Sequence, residues 1–200
     1  MRLNHRGRSP QVDPSAYVAP TVVLSGDVRI GANSRVLFGG VLTAEGGTIT
    51  IGANTIVMEN AVLRSTSRDD LVIGDHCVVG PRSYVVGATV ENEVFLATGS
   101  SVFNGAVVGA GSEVRINATV HLRTTLAPGT TVPIGWIAAG TPAELFAPEQ
   151  HDALWAVQKD LDFPGYVFGV DRSGTAPMVE LTEKWARSLG QHASDELLAD

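Results

Sequence analysis

The sequence predicts an all-β solenoid, a parallel β-helix, and three observations carry that reading. Val or Leu stands at every sixth position from Val90 through Leu96, Val102, Val108, Val114, Val120 and Leu126 to Val132. Two residues before each stands a side chain no larger than Val: Ala88, Val94, Ser100, Ala106, Ser112, Ala118, Thr124 and Thr130. The same register opens the chain at Val12, Val18, Leu24, Ile30, Val36 and Leu42. A period of six suits neither the helical nor the strand template, so it is a structural repeat. Its physical form is a coil of three short flat faces, each one hexad long. One aliphatic side chain per face points inward and stacks on its equivalent in the next coil. No single hexad buries its own aliphatic group, so the stack is the core.

Taken in order, Gly31, Gly52, Gly74 and Gly109 each follow an apolar residue and fall at the expected corners, with Asn or Asp nearby. From Leu42 to Ile51 the step lengthens to nine, which predicts a protruding loop at Glu45, Gly46 and Gly47. From Leu63 to Ile73 it lengthens to ten, which predicts a second loop from Arg64 to Asp70. A shortened step joins Val85 to Val90. After Val132 the segment from Pro133 to Pro142 reads as an exit turn. Pro148 suits a helix start, and Leu154, Val157 and Leu161 mark one apolar face of a helix over Pro148–Leu161. Pro164 and Gly165 break that helix. A second helix is expected over Met178–Leu189, with Met178, Leu181, Trp185 and Leu189 on one side. Both helices are expected to pack outside the β-helix or across a neighbouring subunit, and residues from Gln191 onward to fray. The organisation is thus a β-helix over residues 1–146, with repeats from about 12 to 137, and a helical extension over 147–200.

Fourteen basic against 21 acidic residues give a net charge of −7, which argues against nucleic acid or an anionic membrane as partner. The single Cys77 permits no intramolecular disulfide and no thiolate cluster, and it occupies a small-residue position of the hexad. No apolar stretch follows the basic N-terminus, and no run is long enough to span a bilayer, so a cytoplasmic location is the expectation.

Several segments resemble the γ-class carbonic anhydrases. They are Gly26 to Gly31, the step and loop near Glu45, Ile73 to His76 with Gly80 and Gly87, and the exit from Ile137 to Ala143. The resemblance covers residues 10–146. It implies a left-handed β-helix, an exception to the usual right-handed crossover, and a homotrimer whose zinc lies between subunits on three histidines. By the same resemblance the ligand positions fall on Arg64, Pro81 and Val86, none of which offers zinc a donor. The family's Arg-Gly-Asp becomes Thr43, Ala44 and Glu45, and its Gln-Asp pair becomes Met58 and Glu59. No metal and no cofactor are therefore expected, and neither is zinc-dependent CO₂ hydration.

Among the histidines, His76 reads as a surface turn residue, and His5, His151 and His192 as solvated. His121 follows inward-facing Val120 and points outward, which keeps it as a catalytic candidate. Arg64 and Arg82 fall on adjacent coils, with Glu45 and Glu59 expected nearby. The candidate site is then Arg64, Arg82 and Tyr84 holding a small anionic molecule at the intersubunit cleft. Glu45, Glu59 and His121 are the candidates for acid–base chemistry of lyase or hydratase type. The competing structural reading pairs the two arginines with Glu45, Glu59, Asp69 or Asp70 to hold a trimer together. Three other readings stand beside these: a hexapeptide-repeat acyltransferase, a non-catalytic trimeric scaffold, and a carbonic anhydrase with a rebuilt metal site. The acyltransferases carry histidine on a long inserted loop, and both inserted loops here lack it.

Overall fold

Short strands, most of them two or three residues long, stack so that each hexad lies over the hexad of the preceding coil. The computed structural model describes residues 1–171 and 173–198. Three faces result, sheets of ten, seven and seven strands, parallel throughout except for an antiparallel strand at each edge of the ten-stranded one. On the ten-stranded face Leu24, Leu42, Leu63, Val85, Val102, Val120 and Ala138 are in register from coil to coil. All seven are fully buried. Each parallel partner supplies the backbone hydrogen bonds that a two-residue strand cannot make alone. The predicted all-β solenoid is the observed fold.

The two long steps are where the regular coil is altered. Strands Val41–Glu45 and Val62–Thr66 are the longest in the molecule and pair over their whole length. Glu45 therefore ends a strand, and Arg64 to Thr66 lie in one, where a loop from Arg64 was expected. Continued pairing satisfies their backbone groups, so the second loop shrinks to residues 67–70. The short step at Val85 passes through Gly87, whose φ is +53°. A Cβ there would lie 2.7 Å from the Asp69 Cβ, so glycine lets the second loop fold against this corner.

The C-terminal extension differs more from expectation. Helix α1 is His151–Gln158, shorter than predicted, and it packs Leu154 and Val157 against Ile137, Ala139 and Phe146. Pro164 and Gly165 do not simply break a helix. They lie in the first turn of a second one, α2, Phe163–Phe168, where proline's missing N–H costs nothing and the Asp162 side chain accepts from Gly165 N. Helix α3 is Pro177–Leu189. The segment beyond it does not fray as far as Leu198: a 3₁₀ turn at Gly190–Ser194 leads into strand Glu196–Leu197, which pairs antiparallel with Arg2–Asn4. Residues 199 and 200 lie outside the described residues. The two ends of the chain thus close on each other at one edge of the ten-stranded face. No helix among the described residues is long and apolar enough to cross a membrane.

Candidate functional site

Alternation along the strands of the ten-stranded face turns Thr43, Arg64 and Val86 outward as one row. Phe103 and His121 continue that row on the following coils. Glu45 and Tyr84 lie one step to either side of it. Helices α2 and α3 cross above, leaving a cavity of about 440 Å³. Its floor includes Glu45, Arg64, Tyr84, Val86 and Phe103, and its roof Tyr166, Phe168, Leu181, Lys184 and Trp185.

The roof is held by the second inserted loop. The Tyr166 hydroxyl donates to Asp69 Oδ1 at 2.9 Å, and Arg68 Nη1 donates to the Tyr166 carbonyl at 2.9 Å. The Arg68 guanidinium also covers the Tyr166 ring at 4.8 Å. Burial, and then the bond to Asp69, push the Tyr166 hydroxyl above its usual range. Phe168 packs on Trp185 with ring centroids 5.0 Å apart, joining α2 to α3.

On the floor, Arg64 Nη2 donates to Glu45 Oε1 at 3.4 Å. The Arg64 side chain is 25% exposed and that of Glu45 10%. Burial pushes the Tyr84 hydroxyl up in pKa, and the nearby Arg64 charge opposes this. A guanidinium has five N–H donors, so a single long hydrogen bond leaves most of the Arg64 donors free for a ligand.

The remaining candidates lie elsewhere. Glu59 and Arg82 occupy stacked corner turns, joined by the Arg82 N–H donating to the Glu59 carbonyl at 3.0 Å. Arg82 is exposed and Glu59 half-buried, and neither lines the cavity. Exposed Phe38, Ile116 and Ile134 occupy turns along the same column. His121 is half-buried beside Phe103, its Nδ1 is buried without a partner, and burial lowers its pKa.

Two histidines read as solvated are not. His5 is 2% exposed and stacks on His192 with ring centroids 4.2 Å apart. His5 Nδ1 donates to Asp195 Oδ1 at 2.5 Å, and His192 Nδ1 to Asp195 Oδ2 at 2.8 Å. His192 Nε2 meets Glu45 Oε1 at 3.0 Å. The bond to Asp195 is the largest of the influences that raise the His192 pKa. Burial alone would raise the Asp195 carboxyl, but the two histidines hold it below its usual range. Chain closure creates this cluster, and nothing in the hexad pattern signals it.

Three faces of stacked strands with hexad-spaced inward side chains make the chain a β-helix of the hexapeptide-repeat class, and the similarities that follow support its left-handed form. No protein-family model matches it. Among characterised proteins it is similar to γ carbonic anhydrase 1, mitochondrial, of Arabidopsis thaliana, 30% identical over 147 residues, 70% of this chain and 51% of the relative. It is also similar to the carbonic anhydrase of Geobacillus kaustophilus, 28% identical over 54% of this chain and 59% of the relative. A solved hexapeptide transferase family protein from Anaplasma phagocytophilum superimposes with a TM-score of 0.52 and 25% identity, covering 94% of this chain and 95% of that one. These similarities support a γ-carbonic-anhydrase-like hexapeptide-repeat family. The chain spans about half the length of the first curated relatives it matches.

Proposed function

We propose that the chain is a trimeric γ-carbonic-anhydrase-like protein that binds a small anionic molecule on Arg64 and acts on it, without a metal at the family's position, by acid–base chemistry. The observation that carries this reading is the Arg64 guanidinium on the floor of a 440 Å³ cavity with one carboxylate partner at 3.4 Å. Arg64 takes the charged end of the ligand, and Tyr84 and Lys184 supply further donors at its edges. The aromatic walls at Phe103, Phe168 and Trp185 favour a carboxylate with an apolar body. Glu45 is the group placed for proton transfer. In the trimer the corner bearing Glu59 and Arg82 faces a neighbouring copy, and His121 closes the far end of the row. The positions where the family resemblance sets zinc ligands hold Arg64, Pro81 and Val86, which bind no zinc.

Calorimetric titration of the full-length protein with aromatic and aliphatic carboxylates tests the proposal. Wild type is expected to bind at least one of them, and Arg64→Ala to bind it at least tenfold more weakly. Equal binding by the two proteins, or binding by neither, ends the anion-site reading and leaves the Arg64–Glu45 pair as a structural contact in a scaffold. The similarity to a hexapeptide transferase family protein supports a second reading as an acyltransferase. Saturable binding of acetyl-CoA that survives Arg64→Ala would favour it.

A further inference from the structure

The His5–His192 stack sits between two carboxylates. Asp195 receives one hydrogen bond on each oxygen from the two Nδ1 atoms, at 2.5 and 2.8 Å. An ionised carboxylate only accepts, so both Nδ1 atoms carry hydrogen. Both Nε2 atoms then face Glu45, at 4.0 Å from His5 and 3.0 Å from His192. His5 Nε2 and Glu45 Oε2 are both buried without any partner. Their side chains are 1% and 10% exposed, so water does not readily satisfy them.

A neutral His5 presents its Nε2 lone pair toward Glu45 Oε2, which is repulsive without a cation between them, whereas His192 with both nitrogens protonated donates its Nε2–H to Glu45 Oε1 at 3.0 Å. Protonating His5 as well answers that repulsion only by stacking its buried imidazolium on the half-buried imidazolium of His192 at a centroid distance of 4.2 Å. A metal ion answers it by taking the place of the His192 Nε2 proton and giving His5 Nε2 and Glu45 a shared partner. The arrangement also has the outer layer such sites need, because metal-bound histidine characteristically donates its other ring N–H to a carboxylate. Arg64 and His192 both reach Glu45 Oε1, at 3.4 and 3.0 Å, and leave Oε2 as the free oxygen.

We propose that His5, His192 and Glu45 bind one divalent first-row transition-metal ion, with Asp195 orienting both imidazoles. Nitrogen and oxygen donors of this kind suit zinc, cobalt, nickel or ferrous iron and not calcium. The site is distinct from the positions that the family resemblance assigns to zinc. It joins the N-terminal arm, the end of strand Val41–Glu45 and the C-terminal 3₁₀ turn. Glu45 and Ser188 both line the cavity, so the ion clamps one wall of it.

The test is metal binding by tag-free, chelator-treated full-length protein, with zinc and cobalt(II) alone as probes. About one equivalent per chain is expected, with a rise in Tm and visible cobalt absorption. His5→Gln and His192→Gln are expected to lower affinity at least a hundredfold, and Asp195→Asn about 10–100-fold. His76→Ala and His151→Ala, at exposed positions, are expected to bind as wild type does. No uptake at micromolar zinc, or equal uptake by wild type and His192→Gln, overturns the proposal. If the substitutions unfold the chain, X-ray absorption of the zinc-loaded wild type decides, two imidazole ligands being expected and any other number overturning it. Carboxylate binding by the metal-free protein is read separately, so this site and the Arg64 site fail independently.

Discussion

Arg82 carries a backbone φ of +57° at a corner turn where the equivalent residues on adjoining coils are Asn60 and Gly99. An L-residue with a long side chain in this region is strained by about 1 kcal/mol, whereas Asn tolerates it and Gly is free of it. Arg82→Gly is therefore expected to leave stability unchanged or raise it by up to about 1 kcal/mol, read from thermal melts. A clear loss instead would show that the guanidinium has a partner in the assembled protein. Arg82 was legible in the sequence as a cation on the coil beside Arg64, but not its turn conformation, which aims it away from the cavity. His5 and Asp195 were less legible still. They lie 190 residues apart, and a His near a chain end carries no pattern that marks it as buried.

At the level of elements, the N-terminal arm and the helical extension are fastened to the solenoid by polar contacts, and the first of these responds to pH. Asp27 is 5% exposed and accepts from Arg8 at 2.5 Å and from Arg29 at 3.0 Å. Burial alone would raise its pKa, but the two arginines hold it below the usual range. A depressed carboxylate stabilises the fold above its unfolded pKa of about 3.9 and loses that contribution as pH falls through the lower folded value. The Tm of wild type is expected to exceed that of Asp27→Asn at neutral pH, with the gap closing below about pH 4. A gap that persists into acid would mean that packing and not charge is responsible. The other fastening is α2. Tyr166→Phe removes the bond to Asp69 and is expected to cost about 1 kcal/mol. Faster hydrogen exchange over Phe163–Phe168, with the coils unchanged, is the measurement. Uniform acceleration along the chain would contradict the assignment of that bond to the cavity roof. The sequence marked Pro164 as an interruption. Only the neighbouring loop, with Asp69 and Arg68 at the right height, makes a helix of it.

On the scale of the whole molecule, one column of turns presents a broken line of exposed apolar corners, Phe38 at one end and Ile116 and Ile134 at the other, with Glu59, Pro81 and Thr98 on the turns between. Burying such a line in a symmetric contact removes apolar area from water. Light scattering is expected to give three times the 21.0 kDa chain mass, and a Phe38→Glu, Ile134→Glu double variant to shift that mass toward the single chain. A wild-type monomer would refute the trimer directly.

The architecture was determined by the sequence itself, because the solenoid core is a local rule repeated. A residue such as Val102 faces inward on account of its place in its own hexad, and its partners Val85 and Val120 obey the same rule. Both inserted loops were announced in the same way, by a lengthened step. The chemistry was decided only by the tertiary structure. The Arg64 cavity needs a roof from the C-terminal extension, and the His5–His192 cluster needs the two chain ends to meet over Glu45. These contacts have no period, and their energy comes from pairing polar groups that are solvated wherever the chain is open.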